Sequence, residues 1–241
     1  MKVKVFLIPY AGADFSCYDN LKNEIINKYG NIAEPVPIEL SGHGKRRKEP
    51  LYNSIEAAAK DVISYIQKNS ESTALSILYG QCSGGAIAYE TYRSLKKFED
   101  TNCKIKKVIL ASTLVRKELI QDFDSMIQNL IESNLQKNFP TLPQSIIKQL
   151  YNYMKPAIDQ ESSITKKYMM NTTVELDEKC CMLFGKDDTF IDEDCLNSQY
   201  SYLNNIDRKF LEGDHFFLNK SYIQVADIIG ELAQNILKGG A

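Results

Sequence analysis

The segment Gly80-Gln81-Cys82-Ser83-Gly84 separates a run of apolar residues from a helical pattern. At such a strand-to-helix turn a nucleophile sits on a strained backbone, and the residues two before and two after it must be small. Glycines meet this requirement for Cys82, whereas a turn centred on Ser83 would put Gln81 at a cramped position. The segment therefore predicts a nucleophile elbow in which Cys82 attacks and the backbone N–H of Ser83 binds the oxyanion. The alternative is that Cys82 is an inert, buried small residue.

A cysteine nucleophile needs an imidazole to hold its proton and a carboxylate to orient that imidazole. The chain has two histidines, His43 before the elbow and His215 after it. In the α/β-hydrolase fold the chain order is nucleophile, acid, histidine, which selects His215. For the acid we choose Asp188, with Asp187 as the reserve, because both follow an apolar run. The alternatives are a turn or capping role for the aspartates and an ordinary structural role for the histidine.

Strand and helix patterns alternate along most of the chain, which predicts a mostly parallel sheet covered by helices. The first strand, Val3–Ile8, leads into a turn of small residues, and a loop after an early strand supplies the second oxyanion donor in this fold. The backbone N–H of Ala11 is our candidate. Further strands are predicted near 32–38, 73–79, 106–112, 180–184 and 208–211, and helices near 16–28, 54–68, 86–98, 193–203 and 222–237.

The alternation stops between two parts of the predicted core, residues 1–114 and 175–241. In the interval 115–174, apolar residues recur at steps of three and four, which predicts helices only. Since this helical insertion separates the elbow from the acid, we expect it to overhang the site as a lid. We also expect it to line an acyl pocket through Met126 and Leu130. The alternative is a helical cap that only packs on the sheet.

The chain resembles the type II thioesterases, the stand-alone editing enzymes of nonribosomal peptide and polyketide assembly lines. The resemblance rests on five ordered landmarks: Pro9-Tyr10-Ala11-Gly12, Ser41-Gly42-His43-Gly44-Lys45-Arg46, the elbow, Gly185-Lys186-Asp187-Asp188 and Gly213-Asp214-His215-Phe216-Phe217-Leu218. The second aspartate of the fourth landmark is the family's usual acid, which agrees with Asp188. The sequence departs from the family pattern with Cys82 for serine, Gln81 for histidine, Ser41 for proline and Asp214 for glycine.

The resemblance implies an acyl thioester substrate, carried on the phosphopantetheine arm of an acyl or peptidyl carrier protein, and no bound cofactor. Attack by Cys82 would exchange one thioester for another. An acyltransferase or cyclase that passes the acyl group to an amine, alcohol or thiol is therefore the main alternative to hydrolysis. Because a protonated imidazole favours a neighbouring thiolate, we expect a resting thiolate–imidazolium pair of Cys82 and His215. A non-catalytic carrier-binding module and an engineered serine-to-cysteine trap stay open as alternatives.

Composition argues against several other classes of protein. With 241 residues and 44% hydrophobic content the chain can bury a full core, and no apolar run approaches the roughly 20 residues of a membrane span. The chain enters a core strand at once, without a signal peptide, so we expect a cytoplasmic protein. Six cysteines without disulfide spacing and only two histidines argue against a disulfide framework and structural zinc. The net charge of −2 gives no reason to expect nucleic acid, and the run Lys45-Arg46-Arg47-Lys48 is either a carrier-docking patch or a solvated loop.

Overall fold

The computed structural model describes residues 1–70, 74–97, 103–113, 123–189 and 206–239. Within them a parallel sheet is formed by β1 (Val3–Ile8), β2 (Ala33–Pro37), β3 (Ala74–Gln81), β4 (Cys103–Ala111), β5 (Cys180–Gly185) and β6 (Asp207–Leu211). The strand order is β2-β1-β3-β4-β5-β6, and every neighbouring pair is parallel. The carboxyl ends of the strands therefore meet at one edge, and the strand order reverses between β1 and β3, where sheets of this kind bind ligands.

Helices cover both faces of the sheet: α1 (Asp19–Tyr29), α2 (Ile55–Asn69), α3 (Ser83–Lys97), α4 (Phe123–Asn138), α5 (Gln144–Asn171) and α6 (Leu218–Leu237). On one face α2, α3 and part of α5 share a buried cluster with Phe6 and Ile8 of β1. On the other face α1 and α6 share a cluster with Val5 and Leu7. Successive strand residues point to opposite faces, so a strand covered on both sides is apolar at nearly every position, and β1 departs from this at Lys4. The predicted parallel, helix-covered sheet is confirmed.

Side-chain caps decide where two of the early helices begin. Ser54 caps α2, because its Oγ accepts a backbone N–H of the first turn at 3.1 Å. The helix predicted over 16–28 is instead a 3-10 turn (Phe15–Tyr18) followed by α1. Asp14 causes the difference, because its carboxylate accepts the Ser16 N–H at 2.9 Å and caps the short turn.

The last helix begins earlier than predicted, at Leu218 rather than at Tyr222. Its extra first turn ends at Ser221, whose φ of −111° and ψ of 20° are not helical. The Ser221 hydroxyl donates to the Glu212 carbonyl at 2.7 Å and so holds this turn beside the loop that follows β6. The predicted helix 193–203 lies outside the described residues.

Helices α4 and α5 occupy the described chain between β4 and β5. Ile127 and Ile131 of α4 belong to one buried apolar cluster with Ile147 and Tyr151 of α5. Both helices fall inside the interval 115–174, while the junction at 114–122 lies outside the described residues. The division of the chain into core and lid stays a prediction.

Candidate active site

Cys82 lies at the turn between β3 and α3 with a backbone φ of +54°. A left-handed conformation of this kind costs a non-glycine residue about 1–3 kcal/mol and persists only where the surroundings enforce it. The Cys82 N–H donates to the Ala111 carbonyl at 2.9 Å, and the Cys82 carbonyl accepts the Gly85 N–H at 3.0 Å and the Thr113 hydroxyl at 2.6 Å. The thiol is therefore held at the end of β3 on a backbone fixed from both sides.

The two glycines that flank the elbow have no room for a side chain. A Cβ atom on Gly80 would collide with the Gly84 carbonyl. A Cβ atom on Gly84 would collide with the carbonyls of Ile8 and Pro9 at the end of β1. The same close approach brings the elbow and the turn after β1 side by side.

The predicted imidazole and carboxylate come from the ends of two neighbouring strands. Asp188 follows β5 and His215 follows β6, and Nδ1 of His215 lies 3.0 Å from Oδ2 of Asp188. Both side chains are buried, whereas Asp187 is exposed. Burial lowers the pKa of His215, but the charge and hydrogen bond of Asp188, together with the Cys82 thiol, raise it further, to about 10. The structure brings the three predicted residues together, and the raised pKa of His215 favours the protonated imidazole.

Gln81 is a residue of this site that the sequence did not single out as functional. Its side chain is fully buried, and its Nε2 donates to the His215 carbonyl at 2.6 Å. This bond ties the end of β3 to the loop that carries the imidazole. The bond joins segments that are distant in the sequence, so no local pattern predicts it. The one sign in the sequence was that glutamine stands where the family has histidine.

The predicted oxyanion donors lie at the ends of two adjacent strands, β1 and β3. A hydrogen bond of 3.0 Å from the Ala13 N–H to the Tyr10 carbonyl closes the turn after β1, and Gly12 within it has a φ of +77°. These features define a type II turn with Ala11 at its second position. Ser83 is the first residue of α3, so its N–H has no acceptor within the helix. The N–H groups of Ala11 and Ser83 stay the predicted oxyanion donors.

An apolar cluster from α4 and α5 adjoins the thiol. Ile158 of α5 and Phe216 belong to it, and Tyr10, Leu130 and Cys82 pack against it. The Tyr10 and Phe216 rings lie with centroids 4.8 Å apart. Leu130, predicted to line the acyl pocket, thus borders the same cluster as the thiol. The side chain of Met126 lies outside the described part of the structure.

Polar contacts fasten α4 to the loop that carries the imidazole and to the first turn of α6. Lys137 forms an ion pair with Asp214, and the Asn134 side chain accepts from Asn219 at 2.7 Å. Asp214 also accepts the Phe216 N–H at 2.9 Å. The aspartate that replaces the family's glycine therefore connects the helical insertion to the histidine loop.

The second histidine and part of the basic run are bound to neighbouring carboxylates. Arg46 forms ion pairs with Glu49 and Asp61, each at 2.6 Å. The other cations of the run are exposed. A docking role for the run would therefore fall to the exposed cations. His43 is buried and bonded to Glu161 of α5.

The remaining described features are two buried cysteines, the side chains that could bind a metal ion, and the length and polarity of the helices. Burial raises the pKa of Cys180 to about 11 and that of Cys181 to about 12, so both thiols stay protonated. Within the described ranges, side chains of histidine, cysteine, aspartate and glutamate form no group of three or more that could hold a metal ion. None of the described helices has the length and apolar character needed to cross a membrane.

A family model described as a thioesterase domain matches residues 3–233. The chain belongs to the thioesterase domain family. Among curated protein sequences, none matches this chain.

Solved structures of proteins from three biosynthetic pathways resemble this thioesterase domain over nearly its whole length. RedJ, the thioesterase of the prodiginine pathway of Streptomyces coelicolor, is 17% identical with a TM-score of 0.74, over 95% of this chain and 90% of that one. ClbQ of the colibactin NRPS/PKS pathway is 17% identical with a TM-score of 0.72, over 100% of both chains. YbtT, a type II thioesterase of the yersiniabactin NRPS/PKS pathway, is 16% identical with a TM-score of 0.71, over 97% and 94%. These similarities confirm the α/β-hydrolase fold.

We expect Asp188→Asn to change how stability depends on pH. Because the pKa of His215 is raised from 6.5 to about 10, its proton stabilises the folded protein most below about pH 6.5, and this stabilisation is lost as pH rises towards 10. The free energy of unfolding in urea should therefore differ most between wild type and Asp188→Asn at about pH 6, and least near pH 10. The rate at which Asp188→Asn removes the acyl group from its thioester should fall by several orders of magnitude.

Asp187, the exposed neighbour of Asp188, provides the control for this experiment. Asp187→Asn should follow the wild type at every pH in both measurements. A pH-independent stability difference for Asp188→Asn, or an equal effect of Asp187→Asn, would contradict the assignment of the acid.

Proposed function

We propose that this chain is a type II thioesterase that removes acyl groups from the phosphopantetheine arm of an acyl or peptidyl carrier protein through an acyl-cysteine intermediate. The observation that carries the proposal is the contact chain from the Cys82 thiol through His215 to Asp188 in a thioesterase domain. RedJ and YbtT, thioesterases of biosynthetic pathways with the same fold, support the substrate class.

In the first step the Cys82 thiolate attacks the thioester carbonyl carbon. The carbonyl oxygen becomes an oxyanion, which accepts hydrogen bonds from the backbone N–H groups of Ala11 and Ser83. The position of Ser83 at the first turn of α3 adds the positive end of the helix dipole. When the tetrahedral intermediate collapses, the carbon–sulfur bond to pantetheine breaks, and the leaving thiolate takes the proton of His215.

In the second step water attacks the acyl-cysteine carbonyl. His215, now neutral, takes a proton from the water, and Asp188 stabilises the imidazolium that forms. Collapse releases the free acid and restores the Cys82 thiolate with a protonated His215. The reaction needs no bound cofactor, because phosphopantetheine arrives and leaves with the carrier protein.

Transfer to an acceptor other than water is the second candidate function. The observation that favours it is the cysteine itself. Exchange of one thioester for another is close to neutral in free energy, and an acyl-cysteine stays reactive towards amines and thiols. The same donor groups would serve both reactions, so the acceptor distinguishes them.

Cys82→Ala should abolish acyl-enzyme formation, whereas Ser83→Ala should still form it, because only the backbone of Ser83 takes part. Intact-protein mass spectrometry after mixing with a panel of acyl-loaded carrier proteins measures the added acyl mass. An acyl adduct that persists in Cys82→Ala would exclude Cys82 as the nucleophile.

Leu130→Trp should shift acyl-chain preference towards shorter chains, because the larger ring would fill space in the apolar cluster that the thiol also borders. The matched control is Asn129→Trp, since Asn129 is the exposed neighbour on α4. Hydrolysis rates are compared across a series of chain lengths, with melting temperature measured in parallel. Unchanged selectivity together with a lowered melting temperature would favour simple core packing, where an added ring costs about 1–3 kcal/mol.

Cys82→Ser separates hydrolysis from transfer. If water is the acceptor, added amines should leave the wild-type product unchanged, and the serine variant should hydrolyse more slowly. If transfer is the function, the wild type should form the amide, and the serine variant should lose the amide while it keeps hydrolysing. A long-lived acyl-cysteine that reacts with no acceptor, combined with rapid turnover by Cys82→Ser, would contradict both hydrolysis and transfer as the function of Cys82.

A further inference from the structure

A single buried carboxylate, that of Glu161 in α5, joins three segments around the candidate site. Its Oε2 accepts the Gly12 N–H at 2.7 Å, within the turn after β1. Its Oε1 lies 2.7 Å from Nε2 of His43, in the loop after β2. The side chains of Glu161 and His43 are each 6% exposed. The mechanism above uses neither of them.

The bond to Gly12 fixes the geometry of the turn that presents Ala11. Type I and type II turns differ by a flip of their central peptide, and the N–H of that peptide here belongs to Gly12. The φ of +77° at Gly12 is the type II value, and Glu161 holds the N–H in the matching direction. A carboxylate acceptor makes this bond stronger than one between neutral groups.

The helix also packs directly against the same turn. A Cβ atom on Gly12 would lie 2.5 Å from Cγ1 of Ile158, one helical turn before Glu161. No side chain fits at Gly12, and α5 therefore contacts the turn through an apolar and a charged residue on one face.

His43 orients the carboxylate of Glu161 through the 2.7 Å contact between Nε2 and Oε1. Burial lowers the pKa of His43, but the hydrogen bond and charge of Glu161 raise it more, with smaller contributions from Glu39 and Asp14, so that the pKa lies above its ordinary value. A buried carboxylate that also pairs with a cation is restricted in the directions its oxygens can take. The imidazole therefore leaves Oε2 directed at Gly12.

We propose that Glu161 is a positioning residue for the oxyanion site: by binding the Gly12 N–H it holds in place the turn whose Ala11 N–H would bind the developing oxyanion. The inference rests on the proposed function, since it requires an acyl-transfer step with that oxyanion. Displacing an oxyanion donor lowers the rate of acylation, and removing one costs roughly 10²–10³-fold. A helix anchor without this role would affect stability alone.

Two substitutions distinguish the effect of the length of the Glu161 side chain from the effect of its charge. Glu161→Asp keeps the negative charge for His43 but shortens the side chain, so it cannot reach both partners. Glu161→Gln keeps the length, and its carbonyl oxygen can accept the Gly12 N–H while its amide donates to a neutral His43. Asp159→Asn serves as the control, because Asp159 is a half-exposed carboxylate on the same helix, paired with Lys155.

Acylation is measured by rapid mixing with an S-acyl pantetheine thioester, followed by intact-protein mass spectrometry. We expect at least a tenfold loss of acylation rate in Glu161→Asp, a loss of less than about threefold in Glu161→Gln, and none in Asp159→Asn. Alkylation of Cys82 by iodoacetamide needs the thiolate but no oxyanion donor, so it should stay within twofold of wild type in all three variants.

The inference is overturned if folded Glu161→Asp acylates like the wild type or if Glu161→Gln loses as much as Glu161→Asp. It is also overturned if alkylation falls in step with acylation, which would mean that Glu161 acts on the thiol or on the fold. Melting temperatures identify variants with a general loss of stability. A wild-type protein that alkylates normally but takes up no acyl group would instead refute the proposed function, so the two failures differ.

Discussion

The left-handed backbone at Cys82 is the constraint on which the rest of the site depends. It places the thiol at the end of β3, and it is possible only where Gly80 and Gly84 let two chain segments touch. That contact also sets the distance between the elbow and the turn after β1, and hence between the candidate oxyanion donors. The hydrogen bonds of Cys82 to Ala111 and Thr113 hold the strained residue, so its geometry does not depend on substrate.

Much of the fold and the positions of the candidate catalytic residues could be predicted from the sequence, because both follow from local patterns. Once strands alternate with helices, residues that follow Gly185 and Leu211 must lie at the same edge of the sheet as Cys82. Gln81 and Glu161 could not be assigned in this way. Each forms a hydrogen bond to a backbone group far away in the sequence. Neither a glutamine at the end of a strand nor a glutamate in a helix has neighbouring residues that would indicate such a partner.

Three residues that depart from the family pattern form specific polar contacts in this chain. Gln81 donates to the His215 carbonyl, Asp214 pairs with Lys137, and the Ser41 hydroxyl donates to the Pro50 carbonyl at 2.6 Å. Two of these three connect the imidazole loop to another part of the molecule. Gln81 and Asp214 therefore form a local set of contacts around His215, next to the candidate nucleophile Cys82.

The parallel topology also determines when the site comes into existence as the chain folds. Cys82 follows the third strand, but the candidate imidazole follows β6, which among the described strands is the last in the chain and lies at the edge of the sheet beside β5. Contacts between such distant segments form late, and chains emerge from synthesis with the N-terminal part first. An unfinished or partly opened chain thus carries Cys82 as an ordinary thiol. Under the proposed mechanism, the reactivity of that thiol consequently reports whether the edge strand has docked.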